Sequence, residues 1–168
     1  MGVPRYVRTM RAHIGHDLLL LPGVSGIVVD DRGRLLLARR SDTGGWAVLA
    51  GVVEPGEQPA DAVVREVREE TGVEVRVERL LGVAMHPVHY PNGDRCEYLN
   101  VTFLCSVAGG TATVNDDESL EVGWFDPADL PPMEPYSRLR VEMAVRDAKE
   151  AWFAPPGSRH PALVEPSM

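Results

Sequence analysis

The segment from Gln58 to Thr71, QPADAVVREVREET, has one regular solution, and that solution constrains everything around it. Pro59 suits the first turn of a helix, where a missing N–H costs nothing, and Gly72 supplies a natural terminator. Asp61 falls near the positive helix end. At about 100° per residue, Ala60, Val63, Val64 and Val67 form an apolar stripe, with Glu66, Glu69 and Glu70 clustered beside it. Such a helix has one side for a core and one pole of negative charge. Like charges three and four apart cost about 0.2–0.5 kcal/mol per pair even when exposed. Either water and the neighbouring arginines absorb that cost, or something strongly positive sits there.

Around the helix the patterning is mostly that of strands. "LLLL" and "VSGIVVDDRGRLLLARR" place apolar runs around Asp31-Arg32-Gly33, which reads as a hairpin. "WAVLAG" predicts a short strand leading toward the helix. Val73, Val75 and Val77 open a longer strand, and "EYLNVTFLCSVAGG" and "ESLEVGWF" predict two more. Tyr6 to Ile14 predicts a short amphipathic helix with Tyr6, Val7, Met10 and Ile14 near one stripe, and Tyr136 to Phe153 predicts a second. Helices and strands alternate without a regular βαβ rhythm, so the expectation is an α/β fold with a mixed sheet between helices.

The chain has 168 residues, 44% of them hydrophobic, which suits one domain with a proper core. Its net charge of −8 argues against nonspecific attraction to nucleic acid or an anionic membrane. The run Leu18 to Val29 is interrupted by Pro22, Gly23 and Gly26 and is too short for a membrane span. Cys96 and Cys105 lie nine apart, an odd offset that points them to opposite faces of one strand. Free thiols in a reducing cytoplasm are the expectation. His86 and His89, three apart in a strand-like run, also face opposite ways and make a poor metal pair.

Three carboxylates within one helical turn are hard oxygen ligands, matched to Mg²⁺ or Mn²⁺ rather than zinc. The alternative for a bare "REVREE" is a solvated helix face. The longer spacing decides between them. From Gly51 to Val73 the chain supplies Gly51, Glu57, Arg65-Glu66-Val67, Glu69-Glu70 and Gly72-Val73, and this resembles the Nudix box of the Nudix hydrolase family at every specified position. "DDRGRLLLARR", "GGWAVLAG" and "EVGWFDPADLP" are similar to the family's opening hairpin, lead-in and closing strand, from about Gly23 to Pro131. Leu49-Ala50 depart from the Pro-Gly of many members.

The resemblance implies a Nudix-type α/β/α sandwich with a mixed β-sheet. Residues 23–154 would form the domain, residues 1–22 an extension that is either a homodimer contact or a helix covering one edge of its own sheet, and residues 155–168 a Pro/Gly-rich tail. It implies Glu66, Glu69, Glu70 and the Ala50 carbonyl as ligands of Mg²⁺ (or Mn²⁺), with Glu66 also orienting or deprotonating water. Glu57 and Arg65 would lock the loop to the helix, and Gly51 would permit a tight turn. Glu54 is an exposed loop acid or an auxiliary base. A further acid is expected from "NDDESLE", which offers Asp116, Asp117, Glu118 and Glu121; Glu118 is preferred, against a solvated turn. As exposed acids, Glu69 and Glu70 are expected to matter little for folding.

The implied reaction is attack of water on the diphosphate of a nucleoside diphosphate derivative, such as ADP-ribose, a sugar nucleotide or a (d)NTP. Arg39, Arg40 and Arg95 are candidate phosphate contacts or plain surface charge. Trp46 and Tyr90 are candidate base-stacking rings or half-buried core aromatics. Pro87 and Tyr90 lie 14 and 17 residues after Val73, near spacings associated with ADP-ribose and dinucleoside polyphosphate members respectively. The alternative is a nucleotide-sensing module that does not hydrolyse; retention of every box acid argues against it. An isopentenyl-diphosphate isomerase is weaker still, since neither cysteine has a catalytic context.

Overall fold

The computed structural model describes residues 4–146, 148–157 and 160–163. In chain order these form α1 (Arg5–Ile14), β1 (Leu19–Val29), β2 (Leu35–Arg40), β3 (Trp46–Ala47), β4 (Leu49–Val52) and α2 (Pro59–Thr71). There follow β5 (Val73–His89), β6 (Arg95–Gly110), β7 (Ser119–Phe125), α3 (Pro135–Val145), β8 (Trp152–Phe153) and a 3-10 turn at Pro161–Leu163. The strands make one sheet in the order β3-β2-β1-β6-β5-β8, with β4 on β1 and β7 on β2. β1 is parallel to β6, whereas β5 and β6 form a long antiparallel ribbon, so the sheet is mixed.

Alternation along β1 gives the sheet two faces. Val24 and Val28 pack with Val63 and Val67 of α2, and Ile27 packs with Leu139, Val141 and Met143 of α3. The helices therefore lie on opposite faces, as an α/β/α sandwich requires. A Cβ at Gly26 would come within 3.0 Å of Val63 and 3.1 Å of Val67, so α2 rests almost on the backbone of β1. Burying each of those valines contributes on the order of 1.5–3 kcal/mol. α1 adds a third cluster, with Val7 against Leu19, Leu21 and Cys96. Tyr6, expected on that stripe, is instead 44% exposed. Cys96 and Cys105 are both free and buried, in different clusters.

Several expectations are corrected. The "LLLL" and "VSGIVV" runs are one strand, continuous through Pro22 and Gly23, because parallel pairing with β6 carries across them. The hairpin after Val29 pairs only Val29 with Leu35 before β2 turns away to β7. "WAVLAG" divides at Val48 into β3, which pairs with β2, and β4, which pairs with β1. The helix expected over Tyr136–Phe153 stops at Val145, where the apolar period gives way to charge. Trp152 instead pairs with Gly82 at the sheet edge and packs in the α3 cluster. No helix among the described residues is long and apolar enough to cross a membrane.

Arg140 of α3 lies buried, donating to Ser25 and Ser137 while its guanidinium sits 4.2 Å from the Tyr136 ring. On the other side of that ring His86 stacks at 3.8 Å, and burial, reinforced by Arg140, pushes its pKa down to about 4. An unfolded histidine takes up its proton near pH 6.5. The stability tied to neutral His86 is thus fully present above that pH and is lost as pH falls toward 4. We expect the melting temperature to fall across pH 6.5 to 4, and His86→Gln to flatten that decline; equal slopes in both proteins would contradict this.

Candidate active site

The box loop and α2 are joined by a contact that only glycine permits. Gly51 lies in β4 opposite Val24, and a Cβ there would stand 1.9 Å from Cδ of Glu66 and 2.1 Å from its Oε1. The Glu66 carboxylate therefore lies flat against the Gly51 backbone. Gly51 was expected to serve a tight turn, but it is not among the positive-φ glycines; its function is to leave room. Gly72, by contrast, does end α2 in the left-handed region at φ 71°, donating its N–H to Arg68 O at 2.8 Å.

Arg65 gathers the acids. Its Nε and Nη2 donate to the two oxygens of Glu57 at 2.8 and 2.9 Å, and Nη2 also reaches Val52 O at 3.1 Å. Its Nη1 donates to Glu66 Oε1 at 2.8 Å and Glu69 Oε2 at 3.0 Å. Glu57 in turn accepts the Glu54 N–H at 3.0 Å, which closes the loop. The Arg65 pairing holds the Glu57 carboxyl below the usual carboxylate range. One planar guanidinium thus fixes a loop and two helix acids, a task the point charge of lysine does not match.

A distant loop completes the group. Asn115 Nδ2 donates to the carbonyls of Arg68 and Glu69, and the backbone N–H groups of Asn115 and Thr113 donate to Glu70 O and Thr71 O. The carbonyls of Glu69, Glu70 and Thr71, which the helix leaves without internal partners, are capped by this loop, and Arg68 O is shared with the Gly72 N–H. Asp116 Oδ1 then accepts the N–H groups of Glu118 and Ser119, each at 3.2 Å, so Asp116 shapes the turn. Ser41 N–H donates to Glu118 O at 2.7 Å, fixing the far side. Glu121 lies elsewhere, 3.6 Å from Arg39 on the surface.

The electrostatics of the assembled acids are uneven. Glu70 is only 9% exposed, although it was expected on an open face. Burial raises its pKa well above normal; Glu66, Asp116 and Glu118 push the same way, while the Ala50 N–H and the Arg40 charge across the cleft oppose them. Burial also raises Glu66, against the pull of Arg65, and raises Glu118. Among the described residues no three of these side chains already converge as a cation cage, because Glu66 and Glu69 are turned onto Arg65. The donor set is nonetheless all oxygen, as Mg²⁺ or Mn²⁺ requires.

A small cleft beside these acids is lined by Arg40, Val48, Ala50, Glu70, Glu118 and Ser119. Arg40 was one of three candidate arginines, and it is the one that lines the cleft; it also pairs with Asp42 at 2.8 and 2.6 Å. Arg39, next along the strand, points away and donates to Gly44 O at 3.1 Å. Counting strand parity from the cleft-lining Ala38 separates the two. Arg95 is exposed at the start of β6, seven residues from Thr102 of the central sheet and so roughly 23 Å along the strand. Trp46 packs edge-on to Phe125 at 4.7 Å, within the α3 cluster. Tyr90 is half-buried, its hydroxyl 2.8 Å from that of Tyr98. No local sequence signal marks Asn115, whose partners lie 46 and 47 residues away.

Comparison with known proteins extends this picture. The sequence matches the family profile described as the NUDIX domain over residues 19–144. It is 38% identical over 120 residues to an ADP-ribose pyrophosphatase of Methanocaldococcus jannaschii, covering 69% of each chain. It is 40% identical over 122 residues to the NAD-capped RNA hydrolase NudC of Pseudomonas putida, covering 70% of this chain. There it spans only 42% of the relative's length. Its fold is similar to the crystal structure of a MutT NUDIX hydrolase from Burkholderia pseudomallei, with a TM-score of 0.61 and 31% identity over 74% of this chain and 98% of that one.

Proposed function

The chain belongs to the NUDIX domain family, and from that premise we propose that it hydrolyses the diphosphate linkage of a nucleoside diphosphate derivative, with Mg²⁺ or Mn²⁺ held by Glu66, Glu69, Glu70 and the Ala50 carbonyl. The observation that carries this reading is Glu70, a carboxylate nine-tenths buried and facing Glu66, Asp116 and Glu118. A buried charge among like charges is costly unless a cation joins them. The cation, when bound, would polarise the phosphoryl group and lower the pKa of a water.

The chain's own residues do the rest. Arg65 holds Glu66 by one oxygen, which leaves the other to accept a proton from water or to orient it. Glu118 enters from the opposite side of the cleft, steadied by Asp116 and Ser41. Arg40 neutralises phosphate charge at the cleft wall, and Tyr90, whose hydroxyl bonds that of Tyr98, is kept as the aromatic candidate for stacking a base. Trp46 belongs to the core and Arg95 to a remote surface, so neither is assigned to substrate. The names of the relatives put ADP-ribose and NAD-like dinucleotides at the head of the substrates to try.

The test is a panel of ADP-ribose, NAD, sugar nucleotides, dinucleoside polyphosphates and (d)NTPs with Mg²⁺ or Mn²⁺, read as phosphate released by a coupled phosphatase. We expect turnover of at least one diphosphate, abolished by EDTA and restored by excess cation. Nucleotide binding without turnover across the panel would overturn the hydrolase reading in favour of a sensing module.

A further inference from the structure

We propose that Asn115 is a positioning residue that sets the divalent-cation affinity of the site without touching the cation, by tying the loop that carries Glu118 to the last turn of α2. The inference deepens the metal reading above and rests on it. α2 carries Glu66, Glu69 and Glu70, and the loop carries the acid that faces them from outside the helix. Their relative placement fixes whether four carboxylates surround one point, and nothing in their own backbones is shared.

Asn115 supplies the connection. Its Nδ2 donates to Glu69 O at 3.1 Å and Arg68 O at 3.3 Å, and its backbone N–H donates to Glu70 O at 3.2 Å. One residue thus caps three successive carbonyls of the helix turn from which Glu69 and Glu70 project. The side-chain amide serves here as a donor, whereas a carboxylate of the same shape would face carbonyl oxygens at the negative helix end and be repelled. Immediately after Asn115, Asp116 Oδ1 accepts the Glu118 and Ser119 N–H groups. The path from helix to Glu118 is therefore three residues long, anchored to the helix at Asn115 and closed onto Glu118 by Asp116. Thr113 adds only a backbone bond, to Thr71 O at 3.0 Å, which any side chain at that position keeps.

Residues that support metal ligands from behind typically cost about 10–100-fold in metal affinity or activity when they are removed. Removing the side-chain amide breaks two of these bonds, keeps the backbone N–H to Glu70 O and all four acids, and loosens the loop against the helix. The cost then falls on cation binding and is recovered when the cation is in excess.

The experiment compares the unsubstituted protein with Asn115→Ala and Asn115→Asp. Mn²⁺ binding is read directly by electron paramagnetic resonance in the absence of substrate, beside melting temperature and hydrolysis at increasing Mn²⁺. Asn115→Ala is expected to weaken Mn²⁺ binding by about tenfold or more, within the range typical of residues that support ligands from behind. Its kcat at saturating Mn²⁺ should return close to the original. Asn115→Asp, of the same shape but unable to donate, should bind Mn²⁺ no better than Asn115→Ala. Mn²⁺ affinity unchanged in Asn115→Ala, or a kcat loss that excess Mn²⁺ does not recover, overturns the proposal and leaves the metal reading standing. Absence of Mn²⁺ binding by the unsubstituted protein overturns both.

Discussion

Glu70→Gln is expected to lower kcat/KM for diphosphate hydrolysis by about a hundredfold or more and, in the absence of metal, to raise the melting temperature. The two effects have one cause. Glu70 is buried on the helix flank, and burial together with Glu66, Asp116 and Glu118 disfavours its charge. A glutamine of the same shape removes that penalty and keeps an oxygen toward the Ala50 N–H. For a chain of this size each 1 kcal/mol recovered raises the melting temperature by about 2–4 °C. Added Mn²⁺ should reverse the order, since a cation that binds only the folded state stabilises it by mass action and the variant lacks the ligand. Steady-state kinetics and melts with and without Mn²⁺ check both halves. A variant that is stabilised yet fully active would show that Glu70 is not a ligand.

Gly51→Ala should be nearly as damaging to activity while sparing the fold. The added Cβ would occupy the space of the Glu66 carboxylate, 1.9 Å from Cδ. What it meets is the far end of a flexible side chain rather than backbone, so relief requires only that Glu66 swing out. Swinging out breaks the bond to Arg65 Nη1 and removes an acid from the site. We expect a loss of about a hundredfold or more in kcat/KM, the scale of removing a metal-orienting group, with a melting temperature within a few degrees. Glu66→Gln should show the same kinetic loss, and combining it with Gly51→Ala should add little, because both act on one carboxylate. Additive losses in the double variant would place the Gly51 effect elsewhere.

The α2 segment was legible because its signals are local. Pro59, Gly72, the valine stripe and the acidic pole all lie within one helix, and the structure runs Pro59–Thr71 as the spacing predicts. What was hidden depends on pairing across the chain. Gly51 looked like a turn residue because its neighbour in space, Glu66, is fifteen positions away; close approach leaves no mark in a linear pattern. Pro22 and Gly23 looked like a break because partners on β6 that hold them in a strand are remote. The helix expected to reach Phe153 was read from a loose apolar period, and Trp152 is apolar for a different reason, as a sheet-edge residue packed on α3. Glu70 was taken as exposed because periodicity gives a direction around the helix but not what covers it; the loop from Thr113 to Ser119 does so.

The most direct measurement is anomalous diffraction from crystals grown with Mn²⁺ and a non-hydrolysable nucleoside diphosphate analogue. The expected result is a manganese peak bounded by oxygens of Glu66, Glu69 and Glu70 and the Ala50 carbonyl, with phosphate oxygens completing the shell and Glu118 facing it. A map in which the analogue binds but no manganese lies at these acids, with Glu66 and Glu69 still turned onto Arg65, would contradict it.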